Sequence, residues 1–181
     1  QYGSVTGRIY TKSPNLQGTP KELKIRQLFS SDNSRWIISS DYSQNEIRIL
    51  ACLSHEDRMI QWFKDSVDVY SKIASIVFNR TYEDCLEYHV DGTPYEEGKN
   101  YRNIIKQILI SSIYGSSLDT LSRVTGLPMD EIKNISTILN EKFPQIESFK
   151  QEVIRKAQDT GYVKSICGRK RRFTDLSNNR E

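Results

Sequence analysis

The sequence has few cysteines and few histidines, with three of the first and two of the second among 181 residues. Cys52, Cys85 and Cys167 are odd in number and far apart, which argues against a disulfide framework and against a structural zinc site made from paired cysteines. His55 and His89 do not complete a metal site. The composition therefore excludes a disulfide-rich secreted module and a zinc module.

Long hydrophobic runs are also lacking. No stretch approaches the run of about 18 apolar residues that a membrane-spanning helix requires, and no signal-peptide pattern opens the chain. We expect an intracellular protein, in the cytoplasm or in an organelle, without a membrane partner. The chain starts at Gln1 and stops soon after a dense basic run, so we expect a fragment of a longer protein with one main core.

The net charge is only +3, but the positive residues are clustered. Lys99, Arg102 and Lys106 form one group, and residues 169–172 form another. A single basic run is most often a solvated face, so neither group alone indicates a partner.

Apolar periodicity predicts a mainly helical α+β fold. Residues 35–40 resemble a strand, and 44–53 a helix for which Ser43 and Glu46 would form a capping box, which places Asp41 at the end of a strand just before a helix. Residues 161–168 suggest a glycine stop followed by a short strand, and residues 81–98 a polar, loop-rich insertion. The other predicted helices span about 56–64, 68–78, 96–115, 117–125, 129–142 and 145–160.

Arg102, Lys106, Ile110 and Tyr114 are spaced by four residues on one predicted helix. Each step of four drifts by about 40°, so these side chains share a sector of about 120° over roughly 18 Å, and Lys99 falls in the same sector. Such a stripe could hold a row of phosphates at one end and a base or sugar at the other. A solvated basic face whose tyrosine belongs to the core explains the same spacing equally well.

Two longer segments decide between these interpretations. "RNIIKQILISSIYG" and "DYSQNEIRILA" resemble the nucleotidyl-transfer motifs of family A DNA polymerases, the DNA polymerase I type. The resemblance extends in the same order to "TGRIYTKSPNLQGTP", "IRQLF" and "GYVKSICGRKRRFTDL". It implies the palm and fingers of a right-hand polymerase, with part of the palm at 1–55, the fingers at 56–160 and a return toward the palm at 161–181.

The resemblance implies template-directed DNA synthesis by a two-metal mechanism. Asp41 would hold two Mg²⁺ ions, and the backbone carbonyl of Tyr42 would help to hold one of them. On the fingers helix, Arg102 and Lys106 would bind the triphosphate of a dNTP and act in catalysis.

Further roles follow from the same resemblance. Tyr114 would lie at the sugar and the templating base beside Gly115, and Glu46 would pair with Tyr114 and exclude a ribose 2′-hydroxyl. The other expected nucleotide contacts are Gln44 and Ile110. A monomer is expected, and its expected contacts with primer-template DNA are Arg8, Asn15, Gln17, Arg48, Arg169 and Arg171.

The sequence departs from the family pattern in four ways. Family members carry a second catalytic acid in a His-Asp-Glu turn, and this chain ends before it. The acidic segments 54–57 and 129–132 superficially resemble such a turn, but they are expected to be helix N-caps rather than metal sites. Ile110 replaces an aromatic residue, Tyr70 replaces a frequent histidine, and residues 79–98 look longer than the usual connection. Because the second catalytic acid and the thumb lie outside this chain, the isolated chain is expected to be inactive.

Two alternatives stay open. A single-subunit RNA polymerase has a similar helix, although Glu46 would obstruct a ribose. A non-catalytic nucleic-acid-binding module would use the basic residues with Tyr114 and Tyr162 for phosphate contacts and stacking.

Overall fold

The computed structural model describes residues 4, 6–20, 22–32, 34–89 and 91–173, and in this part of the chain the fold is mainly helical. Within the described ranges, eight α-helices are followed by one β-hairpin, with short 3-10 turns at Leu16–Gly18 and Glu83–Cys85. The helices are α1 (Leu23–Arg26), α2 (Asn45–Ser54), α3 (Asp57–Lys64), α4 (Val69–Val77), α5 (Glu96–Ile113), α6 (Leu118–Thr125), α7 (Met129–Lys142) and α8 (Pro144–Thr160), and the strands are β1 (Tyr162–Lys164) and β2 (Lys170–Arg172).

The chain divides into two compact units. One comprises residues 1–43 and 155–181, and the other comprises residues 44–154. The second unit contains α2 to α7 and most of α8, together with the hydrophobic core.

The core of the 44–154 unit follows directly from the helical spacing of its apolar residues. On α5, Ile105, Ile108 and Leu109 are buried, because positions three and four apart lie on one face of a helix. They pack with fully buried side chains of α2, α4 and α7, among them Ile47, Ile73 and Ile132. Burying this face leaves the opposite face of α5, with its basic residues, available for other contacts.

The expected helices are present with boundaries within two residues of the predicted ones. The predicted strand at 35–40 is wrong: no strand forms there, and Trp36 is 92% exposed. A β-branched run becomes a strand only when a neighbouring strand accepts its backbone hydrogen bonds, and the described residues offer none to this segment.

The start of α2 also differs from the prediction. Gln44, in a left-handed conformation (φ 54°), is the N-cap residue in place of Ser43, and its side chain makes no capping hydrogen bond. Of the acidic segments expected to be N-caps, 54–57 places Glu56 at the N-cap position of α3 without a capping bond to that helix, whereas 129–132 lies within the first turn of α7, after Pro128.

Residues 162–172 form an antiparallel hairpin in the other unit. Tyr162 pairs with Arg172 and Lys164 with Lys170, so the predicted short strand after Gly161 continues into a second strand made of the basic run. Among the described residues, no helix is long and apolar enough to cross a membrane.

Candidate active site

The three basic residues on one side of α5 differ in exposure and in the acidic side chains that they contact. Lys106 is exposed, and the described part of the chain provides no ion pair or hydrogen bond for its ammonium group. Lys99 pairs with Glu96 at 3.3 Å on its own helix. Arg102, by contrast, has a side chain only 15% exposed and is held by acidic residues from two other segments.

The guanidinium of Arg102 is enclosed on three sides. Its Nε donates to Asp68 Oδ1 at 3.2 Å and its Nη2 to Asp68 Oδ2 at 2.9 Å, which is the bidentate geometry that suits an arginine–carboxylate pair. Its Nη1 lies 3.3 Å from Glu87 Oε2, and the group stacks over the ring of Tyr70 at 5.4 Å. Burial by itself lowers the pKa of Arg102, but the hydrogen bonds and charges of Asp68 and Glu87 more than offset this and raise it.

Asp68 connects three structural elements. Its Oδ1 accepts the Ser71 backbone N–H at 2.9 Å and so caps α4, while its Oδ2 accepts Gln44 Nε2 at 3.1 Å. With the bidentate bonds from Arg102, this one carboxylate joins the start of α2, the start of α4 and the middle of α5. Gln44, expected to contact the nucleotide, is thereby engaged within the protein.

Tyr114 and Glu46 form the contact that the resemblance implies. The Tyr114 hydroxyl donates to Glu46 Oε1 at 2.8 Å, although the two residues are 68 positions apart. Tyr114 is 64% exposed at the C-terminal end of α5, and Gly115 follows it in a left-handed conformation that favours glycine. This end of α5 thus combines an exposed aromatic ring, a carboxylate and a sharp turn.

Tyr70 lies beneath this face. It is 3% exposed, and burial followed by the negative charge of Glu46 raises the pKa of its hydroxyl to about 12. The hydroxyl is protonated at neutral pH, as that of any tyrosine is, and can donate a hydrogen bond. Ile110 is half-buried on α5, one turn before Tyr114.

The predicted catalytic acid lies in the other unit. Asp41 and Tyr42 are both exposed, and Tyr42 is 83% so. Among the residues that the structure describes, no group of three or more histidine, cysteine or acidic side chains is placed to hold a metal ion. Asp41 and the Tyr42 carbonyl supply hard oxygen donors of the kind that Mg²⁺ binds, but they amount to part of a coordination shell.

Two of the expected DNA contacts stabilise their own loop. Asn15 accepts the Gly18 backbone N–H at 3.2 Å, and Gln17 bridges Thr11 N–H at 3.1 Å and the Ile9 carbonyl at 3.0 Å. Their side chains thus fix the shape of residues 9–19.

The basic residues expected on the DNA surface are arranged as follows. Arg169 Nη1 donates to the Thr6 carbonyl at 3.3 Å, and the guanidinium of Arg171 stacks on Phe173 at 5.1 Å. Arg8 is exposed. In the 44–154 unit, the guanidinium of Arg48 lies 4.3 Å from the ring centre of Phe63.

Sequence reasoning missed Asp68 and Glu87 as members of the site. Asp68 carried a weak signal, because an acid before an apolar helix is a common N-cap. Glu87 carried none, since it lies in the polar segment between α4 and α5, where nothing in the pattern indicates a contact with Arg102.

The chain is similar to known proteins over nearly all of its length. The family model described as DNA polymerase family A matches residues 1–181. DNA polymerase I of Lactococcus lactis subsp. cremoris is 32% identical over 95% of this chain and 19% of its own length, and that of Streptococcus pneumoniae serotype 4 is 33% identical over 95% and 19%. This chain thus spans about a fifth of the length of these relatives.

A solved structure shares the fold. The POL domain of Pol1 from M. smegmatis, in complex with DNA primer-template and dNTP, superimposes with a TM-score of 0.76 over 96% of this chain and 30% of that one, at 23% identity. From the family match over its whole length, this chain belongs to DNA polymerase family A.

Proposed function

We propose that this chain provides the fingers and part of the palm of a template-directed DNA polymerase that transfers nucleotides from dNTPs to a primer 3′-end. The 44–154 unit would carry the nucleotide-binding helix, and the other unit would carry Asp41. Family membership supports the reaction class, and the arrangement of side chains on α5 supports the assignment of nucleotide binding to the 44–154 unit.

The observation that carries the proposal is the hydrogen bond between Tyr114 and Glu46 on the same helix face as Lys106. Lys106 offers an exposed ammonium group to the triphosphate, and Arg102 lies one turn before it. At the other end, Glu46 and Tyr114 close the space beside the sugar, so that a 2′-hydroxyl would meet a carboxylate that is already hydrogen-bonded. This arrangement favours deoxyribonucleotides over ribonucleotides.

A cavity of about 450 Å³ adjoins this end of α5 and is lined by both apolar and polar side chains. Ile113 and Gly115, the residues on either side of Tyr114, line it together with Leu109 and Phe143. In the proposed function, a template base stacks on the exposed ring of Tyr114 in this region, since an aromatic ring accepts any base without sequence preference.

Asp41 and the Tyr42 carbonyl would hold the magnesium ions. When bound, these ions would activate the primer 3′-oxygen and stabilise the leaving pyrophosphate. The protein's own part is to supply a carboxylate from the residue four positions before α2 begins. Arg8, Arg169 and Arg171 would contact the phosphates of primer-template DNA, which makes the affinity salt-dependent.

Titration of the 181-residue chain with a fluorescent dATP analogue tests the nucleotide site. Lys106→Ala removes a charge-assisted phosphate contact, so we expect about a tenfold weaker Kd. Lys142→Ala, an exposed lysine at the end of α7, is the matched control and should leave the Kd unchanged. Equal Kd values for wild type and Lys106→Ala would show that this face of α5 does not bind the nucleotide.

A further inference from the structure

The segment between α4 and α5 packs tightly against the start of α5. Gly98 is buried there, and a Cβ atom on it would come within 2.1 Å of the Leu86 carbonyl oxygen. The Glu87 carbonyl accepts the Tyr95 backbone N–H at 2.9 Å. The backbone of Glu87 is therefore fixed beside α5, and its side chain alone is free to change its contact.

Arg102 is balanced by more negative charge than it carries. The carboxylates of Asp68 and Glu87 together bring two negative charges to one guanidinium. A triphosphate approaching Arg102 must therefore compete with carboxylates for its N–H groups, and it meets a local excess of negative charge.

The two carboxylates differ in how firmly they are held. Asp68 makes two bonds to Arg102, accepts two further bonds from Ser71 and Gln44, and has a side chain 23% exposed. Glu87 has a single contact to Arg102, at 3.3 Å, and is 33% exposed. Glu87 is the partner that can be displaced with the smaller loss, since it makes one contact with Arg102 where Asp68 makes two, and it is the more exposed of the two carboxylates.

We propose that Glu87 is a positioning residue that acts as a displaceable clamp on Arg102. Without nucleotide it holds the guanidinium, and the triphosphate takes its place at Nη1 while Asp68 keeps the side chain aligned. The segment between α4 and α5 thereby sets the nucleotide affinity of α5. This inference rests on the proposed function, because it takes a triphosphate as the competing ligand.

Nucleotide titrations of the 181-residue chain test the clamp through Glu87→Gln. This change removes the competing charge, so we expect the Kd for dATP to fall about two- to fivefold, the range given by an ion pair of this exposure. The Kd for dAMP should change less, since its single phosphate offers fewer groups to replace the carboxylate. A purely structural role of Glu87 would change both affinities alike.

The matched control is Glu83→Gln, which removes the same charge from an exposed site in the same segment. It should leave both affinities unchanged, which separates the clamp from general electrostatic attraction. A double-mutant cycle with Arg102→Ala completes the test: the gain from Glu87→Gln should disappear when Arg102 is absent.

The outcomes separate the clamp from the nucleotide site itself. If Lys106→Ala and Arg102→Ala weaken dATP binding but Glu87→Gln leaves it unchanged or weakens it, the clamp is wrong and the site stands. A gain from Glu87→Gln that persists in the Arg102→Ala background, or that Glu83→Gln reproduces, also overturns the clamp. If neither Lys106→Ala nor Arg102→Ala affects dATP binding, the proposed function fails first.

Discussion

Replacing Asp68 tests the ion-pair network that joins α2, α4 and α5. Asp68→Asn removes the charge that Arg102 binds but keeps an oxygen to cap α4, and asparagine is itself a good N-cap. The side chains of the pair are 23% and 15% exposed, between a surface ion pair and a buried one. We expect the free energy of unfolding to fall by about 1 to 2 kcal/mol.

Asp68→Ala should cost about 1 kcal/mol more than Asp68→Asn, because it also removes the cap. Urea denaturation followed by circular dichroism measures both changes. Asp119→Asn is the control, since the side chains of Asp119 and Arg123 are 68% and 71% exposed. Losing this surface ion pair should lower the free energy of unfolding by less than about 0.5 kcal/mol. If Asp68→Asn is as stable as wild type, the network does not stabilise the unit.

Three further predictions concern single residues. Glu56 is buried, and burial raises the pKa of its carboxyl, so its contribution to stability is present at low pH and is lost as the pH rises through the folded pKa. Glu56→Gln should therefore stabilise the chain more at pH 7 than at pH 4, as urea denaturation at both pH values would measure. Equal effects of Glu56→Gln at the two pH values would refute this. Gly98→Ala forces a Cβ atom against the Leu86 carbonyl and should lower the free energy of unfolding by about 1 to 3 kcal/mol in the same assay. An unchanged free energy of unfolding would mean that the backbone at Leu86 moves away at no cost. In a complete polymerase that contains this chain, Ile110→Tyr should lower the KM for dNTPs by up to about tenfold and reduce discrimination against dideoxynucleotides, as single-nucleotide kinetics would show. No change in either constant would mean that Ile110 does not face the nucleotide.

The seven helices from α2 to α8 could be predicted from the sequence, because apolar spacing on an amphipathic helix is a local signal, whereas the four-residue helix α1 was not predicted. The contacts of Ile105 and Ile108 with the core follow from that spacing alone. The strand expected at 35–40 failed because strand formation depends on a partner elsewhere in the chain, which no local pattern reveals.

The candidate site was predictable in part. Lys106 and Tyr114 share a face of α5 as the spacing required, and the pairing of Tyr114 with Glu46 was expected only from the family resemblance. The capture of Arg102 by Asp68 and Glu87 was not predictable, since those contacts join residues 34 and 15 positions apart through tertiary packing.

Primer extension by a complete family A polymerase that contains this chain with Asp41→Asn tests the proposed catalytic role of Asp41 most directly. Turnover with Mg²⁺ should fall by several orders of magnitude while primer-template affinity stays within a few-fold, because Asp41 would act through metal ions and not on DNA. Asp32→Asn, an exposed acid in the same unit, is the control and should extend primers normally. Near-normal turnover of Asp41→Asn would contradict its assignment as the metal-binding acid.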